Sequence, residues 1–138
     1  MIISAIAICF SILSGYLESY IWHIHTIYVN HYFSKSREIH NALVFIRLFV
    51  AIISLSYVNS LSTAIACLGF FFYFHQSSLY YFRNKLNKNV YTSGWNSDGS
   101  YSSESYLDRK FPIIKKNRFR VFVLSLSILL LIINNLLW

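Results

Sequence analysis

Glu18, Arg47 and His75 are the residues of this sequence whose chemistry is most conspicuous, because each interrupts a long apolar stretch. Counted from the basic ends of those stretches at ~1.5 Å per helical residue, the three lie at similar depths of roughly 10–15 Å. A lone carboxylate or guanidinium is costly in hydrocarbon, and pairing lowers that cost. We therefore predict a structural, intramembrane ion pair between Glu18 and Arg47, with His75 as a hydrogen-bonding neighbour.

A metal site is the main alternative for the same residues. Imidazole and carboxylate groups together suit zinc or iron. Glu18, His25, His40 and His75 offer such ligands from three apolar stretches. This interpretation predicts a membrane-embedded, metal-dependent enzyme, or a haem between His25 and His75, whereas the ion-pair interpretation needs no cofactor.

Proton movement is a further alternative, because intramembrane Glu and His residues build proton relays. A proton-coupled channel or transporter therefore stays open, and a holin-like pore is a separate alternative. The apolar stretches contain no proline, and Gly15 and Gly69 are their only glycines. The broken helices typical of transporters are not indicated by this pattern.

The composition predicts an integral membrane protein. Of 138 residues, 56% are hydrophobic and 12% are charged, and the charged share is about half that of a soluble domain. A disordered tail, a disulfide scaffold and an ordinary soluble enzyme are thereby excluded. Four apolar stretches are long enough to cross a bilayer as helices, and they cover residues 2–28, 39–58, 61–82 and 119–138. We expect one all-α transmembrane domain, a four-helix bundle, with the first stretch retained as a span.

The distribution of basic residues predicts the orientation. Lys35 and Arg37 lie between the first two spans, and nine of the twelve Lys and Arg residues lie between residues 83 and 120. Because basic loops remain in the cytoplasm, we expect cytoplasmic loops at residues 29–38 and 83–118. Both termini are then non-cytoplasmic.

The basic run next to the fourth span predicts contact with lipid headgroups rather than with nucleic acid. Its members are Lys115, Lys116, Arg118 and Arg120. Each such residue contributes ~1 kcal/mol at an acidic membrane surface. The expected partners are an anionic bilayer and either further copies of the chain or another membrane protein. A non-enzymatic structural or interaction component of a membrane is the favoured role, ahead of the enzyme and the transporter.

One segment of the sequence is similar to a segment of other proteins. It begins as His75-Gln76-Ser77-Ser78-Leu79-Tyr80-Tyr81-Phe82-Arg83-Asn84 and continues with Leu86-Asn87, Tyr91, Gly94-Trp95 and a serine-rich tail. This segment, about a fifth of the chain, resembles small multi-pass membrane proteins carried by phages and prophages of the Bacteroidota. The resemblance implies a phage-related role in a bacterial inner membrane or a virion membrane, and it implies no particular activity.

Overall fold

The computed structural model describes residues 2–27, 42–47, 49–50, 60–89, 93–99 and 110–137, with the backbone alone for 22, 24–27 and 137. Its long helices are α1 (Ile2–Ile27), α2 (Leu61–Leu86) and α3 (Asn117–Leu137), and a 3-10 turn (Pro112–Lys115) precedes α3. Residues 42–47 and 49–50 are also helical and are called the Arg47 segment. No strand occurs among the described residues, so the prediction of an all-α chain is confirmed there.

Two helices are long and apolar enough to cross a membrane, judged by length and composition. They are Ile2–Ile21 within α1 and Asn117–Leu136 within α3. The 26-residue α2 has sufficient length, but its second half carries polar side chains that lower its hydropathy, including His75, Gln76, Ser77, Ser78 and Arg83. Most of the predicted span at 39–58 lies outside the described residues.

The α1 and α2 helices run in the same direction. The ring of Phe10 lies 6.1 Å from that of Phe71, and the ring of Tyr16 lies 4.9 Å from that of Phe82. Residue numbers thus rise together along the two helices. A parallel pair needs a connection that returns along the bundle, and the chain between α1 and α2 includes the Arg47 segment.

The α2 and α3 helices are antiparallel. At the start of α2, the hydroxyls of Ser60 and Ser62 both donate hydrogen bonds of 2.7 Å to Asn134 Oδ1 near the end of α3. Further along α2, the ring of Phe72 meets that of Phe119 at 6.0 Å. Polar contacts therefore fix the register of α2 against α3 at one end of the pair, and aromatic contacts maintain the same register further along.

Glycine allows close approach at both helix crossings. A Cβ atom on Gly15 of α1 would lie 2.6 Å from the carbonyl oxygen of His75. A Cβ atom on Gly69 of α2 would meet Val123 Cγ1 at 3.3 Å and would overlap the Ser127 side chain. Small residues at crossings are typical of helices that pack in membranes, because they bring the backbones together.

The side chains buried between the helices are largely polar, and many side chains on the outward faces are apolar. Completely buried side chains include Ser11, Ser19, Ser77, Ser78 and Arg120. Buried apolar residues concentrate on the central helix α2, at Ala64, Ala66, Phe70, Tyr73, Leu79 and Tyr80. Large apolar side chains on α1 and α3 point outward instead, among them Ile6, Leu13, Phe122, Leu126, Leu129 and Ile132. Soluble proteins show the opposite preference, with Ile, Leu and Phe inside and Ser outside.

Residues 93–99, which we call the Trp95 loop, pack against the helices. The ring of Trp95 lies 6.4 Å from that of Phe74 on α2. The backbone N–H of Gly99 donates to the carbonyl of Lys115 at 2.9 Å. This part of the predicted cytoplasmic loop is therefore a folded element beside the start of α3.

Candidate functional site

The most charged constellation in the described helices joins Glu18, Arg47, His75 and Ser14, and we call it the polar cluster. Arg47 Nη2 donates to Glu18 Oε2 at 2.7 Å, and His75 Nε2 lies 3.1 Å from the same oxygen. Arg47 Nε also donates to Ser14 Oγ at 2.6 Å. The structure thus brings together the two residues of the predicted ion pair, with the predicted histidine beside them.

Three separate parts of the chain build this cluster. Ser14 and Glu18 are four residues apart on α1, so they lie on one helical face. Arg47 comes from the Arg47 segment, and His75 comes from α2. The ring of His75 stacks on that of Phe71, one turn earlier on α2, with centroids 5.2 Å apart and an interplanar angle of 12°. This stacking holds the imidazole toward Glu18.

Nε2 is the ring nitrogen of His75 that faces Glu18, at a distance suited to a hydrogen bond with the carboxylate. The other ring nitrogen, Nδ1, is buried and has no hydrogen-bond partner among the residues that the structure describes. Side-chain exposure is 10% for Glu18 and 15% for Arg47, so the ion pair is largely shielded from solvent.

The structure describes the side chains of only two of the four predicted metal ligands. Glu18 and His75 are adjacent, whereas the His25 side chain and His40 lie outside the described residues. Within the described ranges, no group of three His, Cys, Asp or Glu side chains is arranged to hold a metal ion. The zinc or iron site therefore stays a prediction.

The four basic residues around the start of α3 divide into two sets. Lys116 and Arg118 are exposed, as a headgroup contact requires. Lys115 is buried, and Arg120 is completely buried within the protein. The assignment of Lys115 and Arg120 to the lipid surface is thereby corrected, because Lys115 is buried and the guanidinium of Arg120 is occupied by protein groups.

Arg120 connects α2, α3 and the Trp95 loop. Its Nη1 donates to Ser77 Oγ at 2.8 Å, and its Nη2 donates to the carbonyl of Ser97 and, at 3.4 Å, to Asn117 Oδ1. The guanidinium also lies over the ring of Tyr80, 5.1 Å from its centroid. One side chain therefore holds the loop against both helices.

Sequence reasoning missed this role, although one signal pointed to it. Arg118 and Arg120 are two residues apart in a helix, so their side chains diverge by ~200°. The two side chains therefore leave α3 on opposite sides and do not form one basic face. The sequence alone did not reveal the partners that receive Arg120.

Asp98 anchors the same loop to the start of α3. Its Oδ1 accepts a hydrogen bond of 2.8 Å from the backbone N–H of Asn117, and its Oδ2 lies 3.0 Å from Lys116 Nζ. The Asn117 N–H, followed by the Lys116 ammonium, holds the pKa of the Asp98 carboxyl below its usual value. A carboxylate at a helix N-terminus satisfies an otherwise open N–H and faces the positive end of the helix dipole.

Comparison with protein-family models, with curated proteins and with solved structures finds no match for this chain.

Proposed function

We propose that this chain is an integral membrane protein with a structural or interaction role and no catalytic activity of its own. The observation that carries this proposal is the reversed polarity of the helices: serines and charged groups lie inside, and large apolar side chains lie outside. Such a surface is stable against lipid and unfavourable against water. The two helices long and apolar enough to span a bilayer support the same conclusion.

We further propose four spans with both termini outside the cytoplasm. The parallel alignment of α1 and α2 supports a returning crossing between them, and the antiparallel α2 and α3 support adjacent third and fourth spans. The concentration of Lys and Arg between residues 83 and 120 supports a cytoplasmic position for that loop. The setting proposed is a bacterial inner membrane or a virion membrane, with the phage relation as part of the proposal.

In this proposal the polar cluster is a structural tie. Glu18 receives Arg47 and His75 from two other segments through a single oxygen. In hydrocarbon, separation of these helices would leave charges unpaired, which is costly. The cluster thus fixes the packing of three segments, while the apolar outer faces are left for lipid, further copies of the chain or another membrane protein.

Cysteine accessibility tests the topology. In a Cys9→Ala/Cys67→Ala background, single cysteines are placed at Asn59, Asn96 and Leu129, and intact bacterial spheroplasts are treated with a membrane-impermeant maleimide. We expect labelling at Asn59 without permeabilisation, labelling at Asn96 only after it, and none at the lipid-facing Leu129 in either condition. Labelling of Asn59 and Asn96 from the same side, or extraction of the protein by alkaline carbonate, would refute the proposal.

The metal-dependent enzyme is a second candidate, favoured by one observation. Glu18 and His75 are adjacent, and Nδ1 of His75 is buried without a hydrogen-bond partner among the described residues. Purification in mild detergent without chelator, followed by metal analysis and visible spectroscopy, separates the two candidates. Stoichiometric zinc or iron that is lost in His75→Ala would favour the enzyme, and a metal-free, colourless protein would favour the structural role.

A further inference from the structure

Two large apolar side chains are exposed just before α3, outside both candidate spans. Phe111 is 48% exposed and Ile113 is 57% exposed. Basic residues flank them: Lys110 is exposed and its ammonium lies 5.9 Å from the Phe111 ring centroid, and Arg118 is exposed at the start of α3. Aromatic and aliphatic side chains interleaved with Lys and Arg are the composition of segments that lie at a membrane surface.

The α3 helix relates this segment to the lipid. Arg118 precedes Val121 and Phe122 by three and four residues, so the three share one helical face. Val121 and Phe122 are exposed on that apolar face. If they contact acyl chains, Arg118 lies one turn nearer the surface, at the level of the lipid phosphates.

We propose that Lys110, Phe111, Ile113 and Arg118 form an interfacial wedge that binds anionic phospholipid in the leaflet beside the basic loop. This inference rests on the proposed membrane insertion of α3 and adds a binding surface and its ligand class. Phe111 and Ile113 enter the boundary between headgroups and acyl chains. Lys110 and Arg118 lie beside lipid phosphates, and the positive charges at these two positions favour anionic lipid over zwitterionic lipid.

A basic loop that only sets the topology needs no apolar residue in the membrane. The wedge, in contrast, requires Phe111 and Ile113 to enter the membrane interface. The position of Ile113 is therefore measured directly. In the cysteine-free background, Ile113→Cys carries an environment-sensitive fluorophore, and the full chain is placed in nanodiscs of phosphatidylcholine with or without phosphatidylglycerol. Phe122→Cys provides the membrane-embedded reference and Asn96→Cys the aqueous reference.

We expect the Ile113 label to be blue-shifted toward the Phe122 reference and to be quenched by brominated phosphatidylglycerol more than by brominated phosphatidylcholine. Lys110→Gln/Arg118→Gln should lower the relative affinity for phosphatidylglycerol by roughly 30-fold, since each basic residue contributes about fivefold. The matched control, Lys85→Gln/Lys88→Gln, removes two exposed charges near the end of α2, outside the wedge, and should lower that affinity much less.

The references separate two kinds of failure. An aqueous spectrum for both Ile113 and Phe122 would overturn membrane insertion itself, and with it the proposed function. An aqueous spectrum for Ile113 alone, with Phe122 embedded, would overturn the wedge and leave the proposed function standing. Equal losses of affinity in the two double variants would also overturn the wedge, because they would indicate a general effect of net charge.

Discussion

Replacement of Glu18 by glutamine is the sharpest test of the polar cluster. The change removes the carboxylate that Arg47 and His75 share and leaves Arg47 with Ser14 as its hydrogen-bond partner within the cluster. Loss of one partner of a buried ion pair costs about 3–5 kcal/mol. Arg47 is not fully enclosed by protein and has a long, flexible side chain, so we expect about 3 kcal/mol, the lower end of that range.

The reciprocal change should cost less. In Arg47→Gln, Glu18 retains its contact with His75, whose Nε2 lies 3.1 Å from Glu18 Oε2. We expect a loss of about 2 kcal/mol, below the usual range for a broken buried pair. In the double variant no charge is stranded, so its loss should stay near that of Glu18→Gln. The resulting coupling energy is about 2 kcal/mol, within the range for directly contacting residues.

The assay is reversible unfolding by SDS in mild-detergent micelles, followed by far-UV circular dichroism for the wild type, both single variants and the double variant. Lys88→Gln, which removes an exposed charge after α2, is the control and should leave stability unchanged. Ordinary hydrogen bonds between membrane helices couple by only about 0.6 kcal/mol on average. Additivity of the single variants within about 0.5 kcal/mol would refute the ion pair as a structural tie.

Three further outcomes follow from the packing. Gly15→Ala should destabilise the bundle by about 1–3 kcal/mol, because its Cβ would press on the α2 backbone, whereas Gly94→Ala, with its nearest side-chain atom 3.9 Å away, should not do so in the same unfolding assay. Arg120→Met should release residues 93–99, seen as faster hydrogen exchange in that loop and unchanged exchange in α1; unchanged loop exchange would contradict the role assigned to the guanidinium. The lowered pKa of Asp98 means that its stabilising contribution is present above the usual aspartate pKa of about 3.9 and is lost as pH falls below that value. The protection factors of the loop amides, which compare observed with intrinsic exchange at each pH, should therefore fall on acidification in the wild type, and Asp98→Ala should abolish this pH dependence.

The contact between Glu18, Arg47 and His75 could be predicted from the sequence, because it depends on one simple physical requirement. A charge inside a long apolar stretch needs a partner, and Glu18 and Arg47 were opposite charges at comparable depth. The position of His75 followed from the same estimate of depth along a helix. Apolar length likewise located α1 and α3 to within one or two residues of their observed ends.

The packing of the Trp95 loop against the helices could not be predicted from the sequence in this way. Its contacts join residues far apart in the chain, as in the bond from Arg120 to Ser97, and its composition of Gly, Ser, Asn and Trp carries no periodic signal. A serine-rich stretch is compatible with a mobile loop and with a docked one. Whether the loop docks depends on Arg120, whose partner Ser77 lies on α2. No local sequence pattern connects these two residues.

The composition of α2 is explained by its place among its neighbours rather than by its length. It packs against α1 through Gly15 and Ser78 and against α3 through Gly69 and Ser127. The exposed apolar side chains of α2 lie in its first half, at Leu61, Ile65 and Leu68. Its second half carries His75 and the buried serines, which face the neighbouring helices. A test of apolarity therefore selects helices with apolar outer faces, such as α1 and α3, and passes over a helix such as α2, whose polar residues are enclosed by its neighbours.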